Sequence, residues 1–129
     1  MLPALMLTSA ALAQYGSEYT VMPTMVKDIV VKGNIGHMSA FMAQTGNLVV
    51  FGDAGDALGD SIYEARLFVR GSVKSLGADC IEKPMTDHHL AKLARLLDAA
   101  GIDADPHQFR RYGSARKLYN FHIDHAGDF

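Results

Sequence analysis

Residues 28–46 read DIVVKGNIGHMSAFMAQTG, residues 47–65 read NLVVFGDAGDALGDSIYEA, and residues 66–84 read RLFVRGSVKSLGADCIEKP. Laid one over another, they are three copies of a nineteen-residue unit. Ile29, Leu48 and Leu67 share a column, as do Val30, Val49 and Phe68, and Val31, Val50 and Val69. Gly33, Gly52 and Gly71 close the three apolar runs at one phase. Each copy reads as a short β-branched or apolar strand followed by a turn of small residues. Gly36 and Gly55 share a further column, which Lys74 occupies in the third copy.

A period near twenty residues matches one circuit of a parallel β-helix, in which equivalent residues stack about 4.8 Å apart. The expected fold is therefore mainly β: a parallel β-helix of about three coils, with a C-terminal α-helix and an extended tail. Consecutive strand residues point to opposite faces. Val30, Val49 and Phe68 then form one ladder, while Ile29/Val31, Leu48/Val50 and Leu67/Val69 form ladders on the other face. Both faces are apolar and both need cover. Cover for one is expected from residues 86–100, where Leu90, Leu93, Ala94, Leu97 and Ala100 follow a helical period. Thr86 or Asp87 can cap its start, and Gly101 stands where a helix commonly ends.

The whole chain has 129 residues, which suits one domain. Twelve Lys and Arg against fourteen Asp and Glu leave a net charge of −2, which points away from nucleic acid and anionic membranes as partners. A single cysteine, Cys80, makes no internal disulfide and reads as a small buried hydrophobe. Upstream, residues 1–13 form an apolar run ending in Ala11-Leu12-Ala13, like a signal-peptide cleavage site, but no Lys or Arg precedes Lys27. Residues 1–25 are read as an atypical segment, signal-like or mis-started. No fourth copy is expected there, because Gln14 occupies the column that should hold glycine.

The stretch from Gly52 to Ser61 invites a nucleotide loop. Its pattern is G-x-x-G-x-x-x-G, with neither G-x-G-x-x-G nor G-K-[ST], and Asp53, Asp56 and Asp60 would repel phosphate. The same aspartates lack the G-G-x-G-x-D repeat of calcium-binding β-helices. His122 and His125, with Asp124 and Asp128, lack a convergent set of three or four ligands, as do His88 and His89. No metal site and no catalytic residue is expected. In the tail, Arg110, Arg111, Tyr112, Arg116, Lys117 and Tyr119 form a basic and aromatic strip that is a candidate docking surface.

Residues 33–80 and the stretch RRYGSARKLYNF resemble the GXGXG domain of glutamate synthases. The resemblance is greatest to the free-standing GXGXG subunit of N-methylglutamate synthase (methylamine–glutamate N-methyltransferase) type enzymes. It covers roughly residues 26–125 and implies one GXGXG domain over 26–129, shortened at its N-terminus relative to the family. It also implies a right-handed parallel β-helix, in agreement with the period. The glycine motif maps onto Gly52, Gly55 and Gly59, with Gly33, Gly36 and Gly71 as repeat corners of structural rather than ligand-binding role. Chemistry in such enzymes lies elsewhere, so the resemblance implies a non-catalytic assembly subunit of an oxidoreductase or N-methyltransferase complex of glutamate metabolism. Its implied partners are amidotransferase-like and synthase-like subunits, the latter carrying FMN and an iron–sulfur cluster, in the cytoplasm. The alternatives are a stand-alone ligand-binding or oxidoreductase-associated solenoid that uses the Gly/Asp turn, and a secreted protein.

Overall fold

The computed structural model describes residues 4–6, 10–13 and 28–116, with side chains for residues 28–116. Among the described residues seven strands form one sheet: β1 (Ala4–Met6), β2 (Ala10–Ala13), β3 (Asp28–Val31), β4 (Asn47–Val50), β5 (Arg66–Val69), β6 (Cys80–Lys83) and β7 (Arg110–Ser114). Their spatial order is β1-β2-β3-β4-β5-β7-β6. The strands β2 to β5 run parallel, and β1 and β7 each pair antiparallel with their neighbours. One helix, α1 (Asp87–Ala99), follows β6, and a short 3-10 turn (Pro106–Gln108) precedes β7.

The nineteen-residue register holds residue for residue. Ile29 pairs with Leu48 and Leu48 with Leu67, and Val30, Val49 and Phe68 line up in the same way. The strands are short because each ends at a turn glycine, and they pair in parallel because every copy runs the same circuit.

The right-handed parallel β-helix does not form. The described residues form a single open mixed sheet with one α-helix, and two features account for it. Among the described residues the wall opposite the strands has only single-residue parallel bridges, Ile35–Ala54–Val73 and Leu58–Leu76, and no second sheet closes a tube. After the third copy the chain reverses, and β7 lies antiparallel on β5 where a fourth coil would stack. Upstream, β2 pairs in parallel with β3 at an offset of eighteen residues, Ala11 opposite Ile29 and Ala13 opposite Val31. That strand escapes the nineteen-residue alignment because its spacing is one residue shorter and its sequence, AALA, carries no β-branched residue.

The two faces of the sheet feed two cores. Val31, Leu48, Val50, Leu67 and Val69 pack with Ile35, Ala54, Leu58 and Ile62 from the turns. On the other face Val30, Val49 and Phe68 pack with Leu93, Leu96, Leu97 and Phe109. Phe68 is fully buried. Burying a side chain of that size is worth roughly 1.5–3 kcal/mol in transfer free energy.

The helix starts at an N-cap, Thr86, whose hydroxyl accepts from the His89 N–H. It ends in a Schellman arrangement: Gly101 N–H donates to Asp98 O, and Ile102 N–H donates to Leu97 O, with Gly101 at φ 73°. The buried stripe is His89, Leu93, Leu96 and Leu97, continued by Ala100 just past the helix end. It is rotated from the expected stripe: Leu90 is half-buried and Ala94 is exposed.

Candidate functional site

The glycine and aspartate turns make the wall opposite the strands. Gly33, Gly52 and Gly71 stack directly, with Gly52 N–H donating to Gly33 O and Gly71 N–H to Gly52 O, each at 3.0 Å. A methyl group on Gly52 would stand 2.7 Å from the Gly33 carbonyl carbon, and one on Gly71 would stand 2.6 Å from that of Gly52. Only glycine tolerates that approach. At Gly55 an added Cβ would meet the Gly36 carbonyl carbon at 3.0 Å, a tighter fit than side chains normally accept.

Further along the first two turns the backbone enters the left-handed region at every second residue. Met38, Ala40 and Met42 have φ of 59°, 61° and 55°, and Ala57, Gly59 and Ser61 repeat them at 58°, 68° and 57°. For a non-glycine residue that conformation costs roughly 1–2 kcal/mol. Hydrogen bonds between turns hold it: Met38 N–H donates to Asp56 O at 2.8 Å and Met42 N–H to Asp60 O at 2.9 Å. This alternation has no signal in the sequence, since five of the six positions carry residues that rarely adopt it. Gly59 is the one glycine, and a Cβ there would also lie 2.8 Å from Cys80 Sγ.

The polar side chains of the wall serve its own backbone. Asn34 Oδ1 accepts from Asp53 N–H at 2.7 Å, and Asp53 Oδ1 accepts from Ser72 N–H at 2.8 Å. One turn's side chain thus caps the next turn's amide, nineteen residues on. Asp60 Oδ2 accepts from Ala78 N–H at 3.1 Å. Asp56 Oδ1 accepts from the Ser75 hydroxyl at 3.2 Å, and Ser75 Oγ accepts from Ala57 N–H at 2.9 Å. Gly77, outside the expected motif, is equally constrained, because a Cβ there would collide with Asp60. Its signal was a glycine out of phase with the other two copies.

Among the described residues no group of three or more His, Cys, Asp or Glu is arranged to hold a metal ion. His122, Asp124, His125 and Asp128 lie outside the described residues. Among the described residues no helix is long and apolar enough to cross a membrane. Cys80 is buried, and burial pushes its thiol up to about 11, with Asp60 adding to the rise and Lys83 opposing it. Such a thiol is a poor nucleophile at neutral pH.

The expected docking strip is divided by the fold. Arg110 is exposed, whereas Arg111 and Tyr112 are buried in β7 between β5 and β6. Arg116 donates from Nη2 to Ile62 O at 3.1 Å, lies 3.8 Å from an Asp79 carboxylate oxygen, and sits 5.1 Å from the centre of the Tyr63 ring. Lys117 and Tyr119 lie outside the described residues.

The fold and its turn wall define a small mixed-sheet domain built on stacked nineteen-residue turns, whose side chains are committed to the stack. The chain is similar to Protein GlxC of Rhizobium meliloti (strain 1021), with 74% identity over 93 residues, covering 71% of this chain and 41% of that protein. It therefore spans about two fifths of that relative's length. No family model and no solved structure matches the chain.

Proposed function

We propose that this chain is a non-catalytic assembly domain of a glutamate synthase-related complex of amino-acid metabolism. The carrying observation is the turn wall. The Asn34, Asp53 and Asp60 oxygens that a ligand site would need accept backbone N–H groups of the neighbouring turn. That arrangement supports a scaffold over a ligand-binding use of the Gly/Asp turn. The wording of residues 33–80 supports the glutamate synthase GXGXG relationship, and the 74% identity to Protein GlxC extends over 93 residues of the chain.

The finer reading is the N-methylglutamate synthase type, acting in the cytoplasm. Its partners would be an amidotransferase-like subunit that releases ammonia and a synthase-like subunit carrying FMN and an iron–sulfur cluster. This chain would supply a rigid wedge between them, with Gly33, Gly36, Gly52, Gly55, Gly59 and Gly71 setting its shape. The exposed Arg110, with Arg116, Lys117 and Tyr119, is the docking strip of that reading. The test is a tagged purification from the source cells, read by mass spectrometry and visible absorption. Co-purification of a flavin and iron–sulfur subunit with an amidotransferase-like subunit is the expected result. A colourless chain recovered alone would overturn the assembly role.

A further inference from the structure

The turn wall passes hydrogen bonds from one turn to the next by a fixed rule. Each bridge residue points its own N–H and C=O at the following turn, and its neighbours serve the preceding one. Ile35 N–H donates to Asp53 O at 2.9 Å, and Ile35 O accepts from Gly55 N–H at 3.1 Å. Ala54 repeats this one turn on, donating to Ser72 O at 2.8 Å and accepting from Lys74 N–H at 3.0 Å. Leu58 does the same with Ser75 O at 3.1 Å and Gly77 N–H at 2.8 Å. Val73 and Leu76 hold these places in the third turn. Their own N–H and C=O groups therefore point away from the stack, and among the described residues none of the four has a backbone partner.

The apolar columns stop at the same edge. Leu58 is 1% exposed, whereas Leu76, its bridge partner, is 37% exposed. Ile35 and Ala54 are buried, and Val73 is half-buried. The difference is the cover that a following turn gives to the turn before it. The sheet meanwhile continues past β5 by two strands, β7 and β6. The wall thus ends in a ledge, with the third turn as its step. Open backbone groups beside exposed apolar side chains are a template for pairing with another chain.

Charge on this edge selects the occupant. The second turn meets the third with Asp53, Asp56 and Asp60, which hold Ser72 N–H, Lys74 and Ala78 N–H. The third turn has Ser72 and Ser75 in the columns of Asp53 and Asp56, with Arg70 and Lys74 beside them, all four exposed. Arg70 lies 4.8 Å from the centre of the Phe51 ring, and Lys74 lies 3.6 Å from Asp56 with 73% of its side chain exposed. Asp79, at the far end, lies 3.8 Å from Arg116. The edge is therefore basic where the one before it is acidic. Two copies joined third turn to third turn would set these cations against each other, which disfavours self-pairing. We propose that the free edge of the third turn docks an acidic, extended segment of a different polypeptide, which adds to the wall as a fourth turn. Its small apolar residues lie opposite Val73 and Leu76, and its carboxylates lie near Arg70 and Lys74. This surface is separate from the strip of Arg110, Arg116, Lys117 and Tyr119, and it does not depend on the glutamate synthase reading.

The test is an NMR titration of the full 129-residue chain, isotope-labelled, with a synthetic peptide of residues 51–62, FGDAGDALGDSI. That segment is acidic and already presents Asp53 O and Gly55 N–H to a bridge residue, Ile35. The expected result is saturable amide shifts at millimolar peptide, confined to the third turn and centred on Val73 and Leu76. A scrambled peptide of the same composition should give none. Leu76→Asp should abolish the response, and Lys74→Glu should weaken it several-fold. Both positions are exposed, and either variant alone gives the reading if the other does not fold. No saturable shift in the third turn, or equal shifts from the scrambled peptide, would overturn the docking site. A Val73 amide already protected from hydrogen exchange in the monomer would overturn it too, because the chain itself would then cover the edge. Sedimentation of the chain alone tests the remaining occupant. A concentration-dependent dimer that Leu76→Asp abolishes would assign the edge to a second copy and overturn the foreign partner.

Discussion

The two faces of the sheet each bury an apolar ladder and are covered by different means. The inner face is covered by its own turns: Ile35, Ala54, Leu58 and Ile62 come from the same nineteen-residue units as the strands they pack on. The outer face is covered by α1 and Phe109, which arrive from beyond the repeats. The inner core is thus local and periodic, and the outer core depends on a long-range closure. Short-range contacts are cheap in chain entropy, while distant ones must overcome a larger loop-closure cost. The comparison teaches that the repeat builds a wall, and that the helix turns the wall into a domain.

The strongest way to break the inner side is Gly71→Val. Its side chain would enter the Gly52 carbonyl, and neither backbone can move without parting two turns. A loss of about 3 kcal/mol or more is expected, seen as a collapse of the urea midpoint or as insoluble protein. Gly55→Val, with its 3.0 Å approach to Gly36, should destabilise less, leaving a folded fraction.

Phe68→Ala attacks the outer side at its centre. It should cost about 3–5 kcal/mol in chemical denaturation. Its signature should be early loss of helical circular dichroism, because Leu93, Leu96 and Leu97 lose the surface they pack on. If the helix signal and the sheet signal fall together instead, the two cores are one cooperative unit.

The Cys80 thiol sharpens the inner side through pH. Its pKa rises from 9.0 to about 11 on folding. The folded state therefore keeps a proton that the unfolded state releases, so the contribution is fully present below pH 9 and is lost as pH rises towards 11. Cys80→Ala should flatten this loss when urea midpoints are compared from pH 8 upward. Tyr112, raised by burial, and Lys83, lowered by it, titrate in both proteins, so the difference reports the thiol together with its coupling to those two groups.

Smaller effects separate the two sides further. Thr86→Ala removes the helix cap and should cost about 1 kcal/mol, weakening the outer side alone. Asn34→Ala removes one rung of the exposed side-chain ladder and should cost about 0.5 kcal/mol. Amide hydrogen exchange should then rise at Asp53, whose N–H Asn34 holds.

The strand positions, their register and the double apolar character were legible in the sequence, because stacking in parallel repeats the same residue chemistry at a fixed interval. The need for Gly52, Gly55 and Gly71 was legible for the same reason: a glycine repeated in phase marks backbones in close approach. Hydrophobic periodicity and capping chemistry, both local, were enough to place the helix. Tertiary structure decided the rest. The left-handed turns at Met38, Ala40 and Met42 carry no local signal, since only hydrogen bonds from the next turn hold them. The open sheet replaced the expected closed helix because β7, more than forty residues from its partner β5, took the edge that another coil would have occupied. A period determines what lies above what within the repeat, but which distant strand claims a free edge is settled by long-range packing.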